Sequence, residues 1–204
     1  MRGWIKRAFA LAAVAALVAC NAGNPPPDDN QGDYVGQIQA ARRAQNEAFS
    51  KQPNQPIPPD KMKVFLPLKY FAPDPAYVVP AELKPAERRI VVEMPTSTGK
   101  IRQQQRVGVL EFTLNGRALT LGAFVEAGAD VNRLFVPFAD MTSGTDTYAA
   151  GRYLELNRTS TGIYNIDFNK AYNPYCYYNP EFDCPYPPKE NRLPLPIHAG
   201  ERVQ

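Results

Sequence analysis

Between residues 34 and 49, apolar side chains recur near helical spacing at Tyr34, Ile38, Ala41, Ala48 and Phe49, with Arg42, Arg43, Gln45 and Asn46 between them. The spacing predicts one amphipathic helix, and Pro53 stands just beyond its end. Farther along, the period drops to two, as in Ile90, Val92 and Met94 and again in Leu110, Phe112 and Leu114, which predicts strands. Asn115-Gly116 marks a tight hairpin, because a two-residue type I′ turn requires positive φ at both positions. Pairing Leu114 with Arg117 sets Phe112 opposite Leu119 and Leu110 opposite Leu121, so one face of the hairpin is apolar on both strands.

The later strands follow the same logic. With Thr159-Ser160-Thr161-Gly162 in a hairpin loop and Tyr153 paired with Asp167, the residues Leu154, Leu156, Tyr164, Ile166 and Phe168 share one face with Arg152. None of the 21 prolines falls between Pro95 and Pro137 or between Pro137 and Pro174. A ladder does not accommodate a missing N–H, so the central sheet is expected in those two windows. From Tyr172 onward the chain is rich in tyrosine, asparagine and proline and reads as an ordered coil wrapped over the sheet.

The N-terminus follows another pattern. Arg2, Lys6 and Arg7 precede the uncharged run from Ala8 to Ala19, a signal-peptide arrangement too short for a permanent transmembrane span. The run ends in Leu17-Val18-Ala19-Cys20, which matches the lipobox of bacterial lipoproteins and makes Cys20 the expected lipidation site. An ordinary secretory signal cut near Ala19 or Ala22 is the alternative. Two or three acyl chains anchor a protein stably where a single chain does not. The membrane is thus a partner only through the N-terminal lipid. Asn21, in place of an aspartate after the cysteine, points to the periplasmic face of the outer membrane in a Gram-negative cell envelope. Residues 20–33, with Pro25-Pro26-Pro27, read as a polar tether, and residues 34–204 as one domain.

Composition changes the picture in two places. The formal net charge is +3, but residues 1–19 hold three basic residues and no acid, which leaves 20 of each sign in the remainder. That neutral remainder gives no reason to expect nucleic acid as a partner. Cys176 and Cys184 remain as an even pair, and an oxidising compartment favours a disulfide that would contribute about 2.5 kcal/mol in the chain-entropy model. A two-cysteine metal site is the rival, but His198 is the one histidine, so neither a metal nor another cofactor is expected.

Residues 134–144 (Leu-Phe-Val-Pro-Phe-Ala-Asp-Met-Thr-Ser-Gly), Thr147-Tyr148 and Gly151-Arg152-Tyr153-Leu154 form long, specific motifs. Together with Asp167-Phe168-Asn169, Tyr172-Asn173-Pro174-Tyr175-Cys176, Tyr178-Asn179-Pro180, Cys184-Pro185, Glu190-Asn191 and Ala199-Gly200-Glu201, they closely resemble the bacterial and archaeal domain-of-unknown-function family 1684. Glu155 stands where the resemblance leads one to expect aspartate, and Tyr177 where a small residue is usual. The resemblance implies no activity, substrate or cofactor. Relatives without a lipobox imply that the anchor is an addition and that the domain's work does not depend on the membrane.

The predicted fold is α+β and β-rich: an N-terminal helix, an antiparallel sheet or partly closed barrel of about seven to nine strands, and a disulfide-pinned C-terminal tail rich in proline and tyrosine. Arg152, at the edge of an apolar face, needs an anionic partner, for which Asp140 and Glu190 are better placed than Asp167. One reading is a structural ion pair that locks the tail on the sheet. The other is a site for a small polar or anionic ligand formed by Thr142, Ser143, Thr147, Tyr148 and Arg152. A hydrolase using Asp140, Asp167 and Glu190 as general acid and base is the enzymatic alternative, and a structural or protein-docking lipoprotein is the third. Thr142 or Ser143 as a nucleophile would depend on His198, far along the chain, as base. Thr96-Ser97-Thr98-Gly99-Lys100 lacks the leading glycine and the Ser or Thr of a P-loop and reads as a turn.

Overall fold

The computed structural model describes residues 29–51, 55–126, 133–157 and 159–204. The segment read as an export signal, Cys20 and the part of the expected tether up to residue 28 lie outside the described residues. A long helix, α1 (Asp29–Lys51), begins inside the segment read as tether and stops two residues before Pro53. Ile38 and Phe49, three turns apart, are its buried anchors. A short helix, α2 (Met62–Phe65), follows.

Six strands come next: β1 (Val78–Pro95), β2 (Ile101–Leu114), β3 (Arg117–Glu126), β4 (Arg133–Phe138), β5 (Arg152–Asn157) and β6 (Ile163–Asp167). They form one antiparallel sheet in the order β5-β4-β3-β2-β1-β6, curled nearly into a barrel. The β2–β3 hairpin has the expected register, Leu114 with Arg117, Phe112 with Leu119 and Leu110 with Leu121, and its turn residues Asn115 and Gly116 have φ of 51° and 73°. The segment after Pro95 is the expected turn, closed by Thr96 and Lys100.

Three expectations about the sheet are corrected. Among the described residues it has six strands, fewer than seven to nine, because β1 and β2 are long enough to span the sheet and bend where their register shifts. β5 and β6 do not form a hairpin: β5 pairs with β4 and β6 with β1, which places the two at the open seam. The face assignment survives that change, since Leu154, Leu156, Tyr164, Ile166 and Phe168 are all buried in the main core. Finally, β1 lies in the sheet despite Pro80, Pro85 and Pro95. Pro80 precedes the first pair with β2, and Pro85 stands at the register shift, so neither needs an N–H in that ladder.

The tail closes the barrel as coil with single bridges to the sheet: Tyr172 with Tyr153, Pro185 with Thr96, and Arg192 with Ala139. Leu193, Leu195, Ile197 and Ala199 alternate inward and complete the main core. Between β3 and β4 the ladder is thin, with Phe124 opposite Phe135 as its registered pair. Asn191, fully buried, fills the gap. Its side chain accepts from the Gly122 N–H at 2.7 Å and donates to the Gly122 and Pro137 carbonyls at 3.0 and 2.7 Å. A Cβ on residue 122 would approach the Asn191 side-chain oxygen to 3.1 Å, which explains the glycine there.

Candidate functional site

Arg152 opens β5 on its inward face, and its side chain is wholly buried. Its guanidinium donates to Asp140 Oδ2 at 3.0 Å, to the Ile197 carbonyl at 3.1 Å, to the Glu201 carbonyl at 3.3 Å, and to the Ala199 carbonyl. The ring of Phe138 lies 5.3 Å from its charge centre. Burial lowers its pKa, and Asp140 opposes that shift. The other oxygen of Asp140 accepts from the Thr142 amide and hydroxyl, at 2.8 and 2.6 Å, and from the Ile197 amide at 3.1 Å. Thr142 in turn meets Thr147 at 2.9 Å, and the Ser143 hydroxyl accepts from the Asp140 amide at 3.1 Å. Arg152, Asp140, Thr142 and Thr147 thus come together in one buried, hydrogen-bonded cluster. Its geometry is that of an ion pair clamping residues 197–201 onto the end of the barrel. Tyr148 stands elsewhere, beside the Cys176 sulfur at 4.0 Å.

The three acids proposed for acid and base chemistry do not converge. Asp140 is held by Arg152, whereas Asp167 accepts from Tyr34 at 2.8 Å and from the Asn169 amide at 3.1 Å. Glu190 is exposed and lies 3.9 Å from Arg106. His198 is exposed and leans on the Phe71 ring, while the Ser143 hydroxyl is taken up by its own turn, so the two do not form a nucleophile and base. Among the described residues, no group of three or more His, Cys, Asp or Glu side chains could hold a metal ion.

The disulfide expected between Cys176 and Cys184 is corrected: both cysteines are free and buried. The Cys184 sulfur accepts the Cys176 amide at 3.2 Å, so the turn between them sets the sulfurs side by side without joining them. Hydrogen bonding with Cys184 pulls the Cys176 thiol down to about 6, against its burial, and pushes the Cys184 thiol up.

Among the described residues, an open space lies under α1. A cleft of about 950 Å³ runs between α1, the ends of β2 to β5 and the tail. The helix contributes Ile38, Arg42, Gln45 and Phe49, which are spaced at three and four residues and so share one face. Arg42 reaches across to the Phe71 and Asn169 carbonyls at 2.8 and 3.3 Å and lies over the Tyr70 ring at 4.4 Å. The far wall is aromatic, with Phe135, Tyr153, Tyr172, Tyr175 and Phe182.

Glu201, buried to 2% exposure, is the polar centre of this cleft. Its carboxylate accepts from the Asn173 amide and the Asn173 side chain, both at 3.0 Å, and from the Tyr178 hydroxyl. Burial pushes its pKa up from the ordinary 4.5 to about 7, against the pull of these donors and of Arg152. The backbone leads into it through Gly200, whose φ is +79° and where a Cβ would lie 2.7 Å from the Phe168 and Ala171 carbonyls. Sequence reasoning did not single Glu201 out. Part of the signal was present in the alternation of Leu193, Leu195, Ile197 and Ala199 into the core, which ends at Gly200 with an acid directly after it.

A family model described as "Protein of unknown function (DUF1684)" matches residues 63–202 of this chain. The chain belongs to the DUF1684 family. Among solved structures it is similar to an uncharacterised protein of Haloarcula marismortui determined by NMR in solution. The two share 39% identity, over 86% of this chain and 97% of that one, with a TM-score of 0.68. No curated protein matches the chain. The DUF1684 match takes in the Arg152 cluster, every strand and Glu201, and leaves α1 outside it. One wall of the cleft therefore comes from a segment that the DUF1684 model does not cover.

Proposed function

We propose that this chain is a lipid-anchored envelope protein whose domain binds a small polar ligand in the cleft beneath α1. The observation that carries the binding reading is the cleft itself, which is large enough for a small molecule and walled by aromatic rings around a few convergent polar groups. In this reading the segment from Thr142 to Arg152 holds the tail in place, and the ligand sits on the other side of the tail. A carboxyl with a pKa near 7 in such a place is a group a ligand would meet in either charge state. The hydrolase alternative gains nothing from Asp140, Asp167 and Glu190, which occupy three separate environments. Docking to another protein has one observation in its favour: Ile90, Val91 and Ile101 are about half exposed near the outer end of the β1–β2 ribbon.

The anchor rests on the lipobox alone. Mass spectrometry of the processed protein should find an acylated Cys20, and an unmodified cysteine in material that washes off membranes would remove the anchor from the proposal.

Binding is tested with Ala41→Trp, which places a large side chain in the cleft from an exposed position on α1. In a thermal-shift screen with glucose, N-acetylglucosamine, glucuronate, adenosine and inorganic phosphate, at least one probe should raise the melting temperature of wild type and not of Ala41→Trp. A probe set that leaves wild type unmoved, or moves both proteins equally, would overturn the cleft as the site.

A further inference from the structure

Two buried acceptors in the cleft lack partners. Gln104 on β2 is 2% exposed, and its side-chain oxygen has no hydrogen-bond partner. Asn173 in the tail is 1% exposed and is in the same condition. Its Nδ2 is committed to Glu201 and to the Arg202 carbonyl, which fixes the amide with its oxygen unsatisfied. Both residues line the cleft. Leaving a buried acceptor unmade is costly, and proteins rarely do so twice in one cavity without a reason.

Three cations of the wall are, by contrast, paired with acids. Arg102 pairs with Asp183 at 3.2 Å, Arg133 with Glu155 and Lys170 with Asp167 at 3.3 Å, while Arg42 donates to two carbonyls and keeps its buried Nε without a partner. Three of these four are neutralised by acids, and Arg42 offers one buried N–H that calls for an acceptor. The ligand complementary to this wall therefore both donates and accepts hydrogen bonds, as hydroxyl groups do, and meets three cations already paired. It also has an apolar face, because Tyr175 is 43% exposed at the lip and is held edge-to-face between Phe49 at 6.3 Å and Phe182 at 5.3 Å.

We propose that the cleft takes a neutral saccharide, whose hydroxyls donate to the side-chain oxygens of Gln104 and Asn173 and whose C–H face lies on Tyr175. This inference rests on the cleft being the binding site and names the ligand class for it.

The test is calorimetric titration of the purified protein with maltotriose and chitotriose, and in parallel with glucuronate, inorganic phosphate and adenosine. The proteins are wild type, Ala41→Trp, Tyr175→Ala and Gln104→Met. Gln104→Met keeps the shape of the side chain and removes the orphan oxygen, so it should keep or raise the melting temperature while weakening saccharide binding about tenfold or more. Tyr175→Ala should weaken it comparably, and Ala41→Trp should abolish it. If adenosine or an anion binds and Ala41→Trp blocks it while neither saccharide binds, the saccharide inference falls and the cleft stands. Saccharide affinity unchanged in Gln104→Met, with a lowered melting temperature, would also overturn it, because the oxygen would then serve the fold. If no probe binds wild type, the site itself fails.

Discussion

Two buried charges, Arg152 and Glu201, lie on either side of the same stretch of tail and behave differently. Arg152 has a matched anion and three carbonyls, so removing it strands Asp140 in the interior. Arg152→Met should therefore cost about 3–5 kcal/mol in urea unfolding, and pairing it with Asp140→Asn should recover part of the loss, as expected for coupled neighbours. A loss below about 1 kcal/mol would mean that the cluster does not hold the tail. Glu201 is an acid whose folded pKa is raised from 4.5 to about 7. Between those values the unfolded chain gives up the proton and the folded protein keeps it. Its contribution is thus fully present below about 4.5 and is lost as pH rises through about 7, on the order of 3 kcal/mol in all. The melting temperature should carry a falling component across that window which is absent in Glu201→Gln. An identical pH profile in the two proteins would place the titration elsewhere.

At the level of elements, one tail residue stands in for strand pairing. The β3–β4 ladder is thin, and the Asn191 side chain supplies three hydrogen bonds to the two strands. Asn191→Ala would leave the Gly122 amide and two carbonyls buried and unpaired, and should lower stability by at least about 2 kcal/mol, read by chemical denaturation. Hydrogen exchange at Gly122 should quicken with it, and unchanged protection there would contradict the role. The β2–β3 hairpin was legible because Asn115-Gly116 and strict alternation act within a few residues of each other. The β5–β6 seam was not. The alternation of Leu154, Leu156, Tyr164 and Ile166 fixes a face, whereas the partner of each strand is decided by barrel curvature that no local pattern encodes. β1 was obscured by its prolines: Pro85 and Pro95 stand where the pairing with β2 shifts or ends, and Pro80 lies before that pairing begins, within the ladder to β6.

For the whole molecule, the core fills the barrel with the help of the tail, and the cleft lies where α1, the strand ends and the tail meet. The motifs around Thr142 to Arg152 carry a lone arginine on an apolar face, a pattern common to binding sites and structural ion pairs, so the local sequence is the same for both. The cleft was hidden from such reading because its walls come from segments more than a hundred residues apart, brought together only by folding. Among the described residues, no helix is long and apolar enough to cross a membrane. The most direct measurement is a heteronuclear NMR titration of the ¹⁵N-labelled protein with maltotriose, following each backbone amide. The shifts should concentrate at Arg42, Gln104, Asn173, Tyr175 and Glu201 and leave Thr142, Thr147 and Arg152 in place. Shifts confined to the segment from Thr142 to Arg152 would put the ligand at the ion pair and contradict the account.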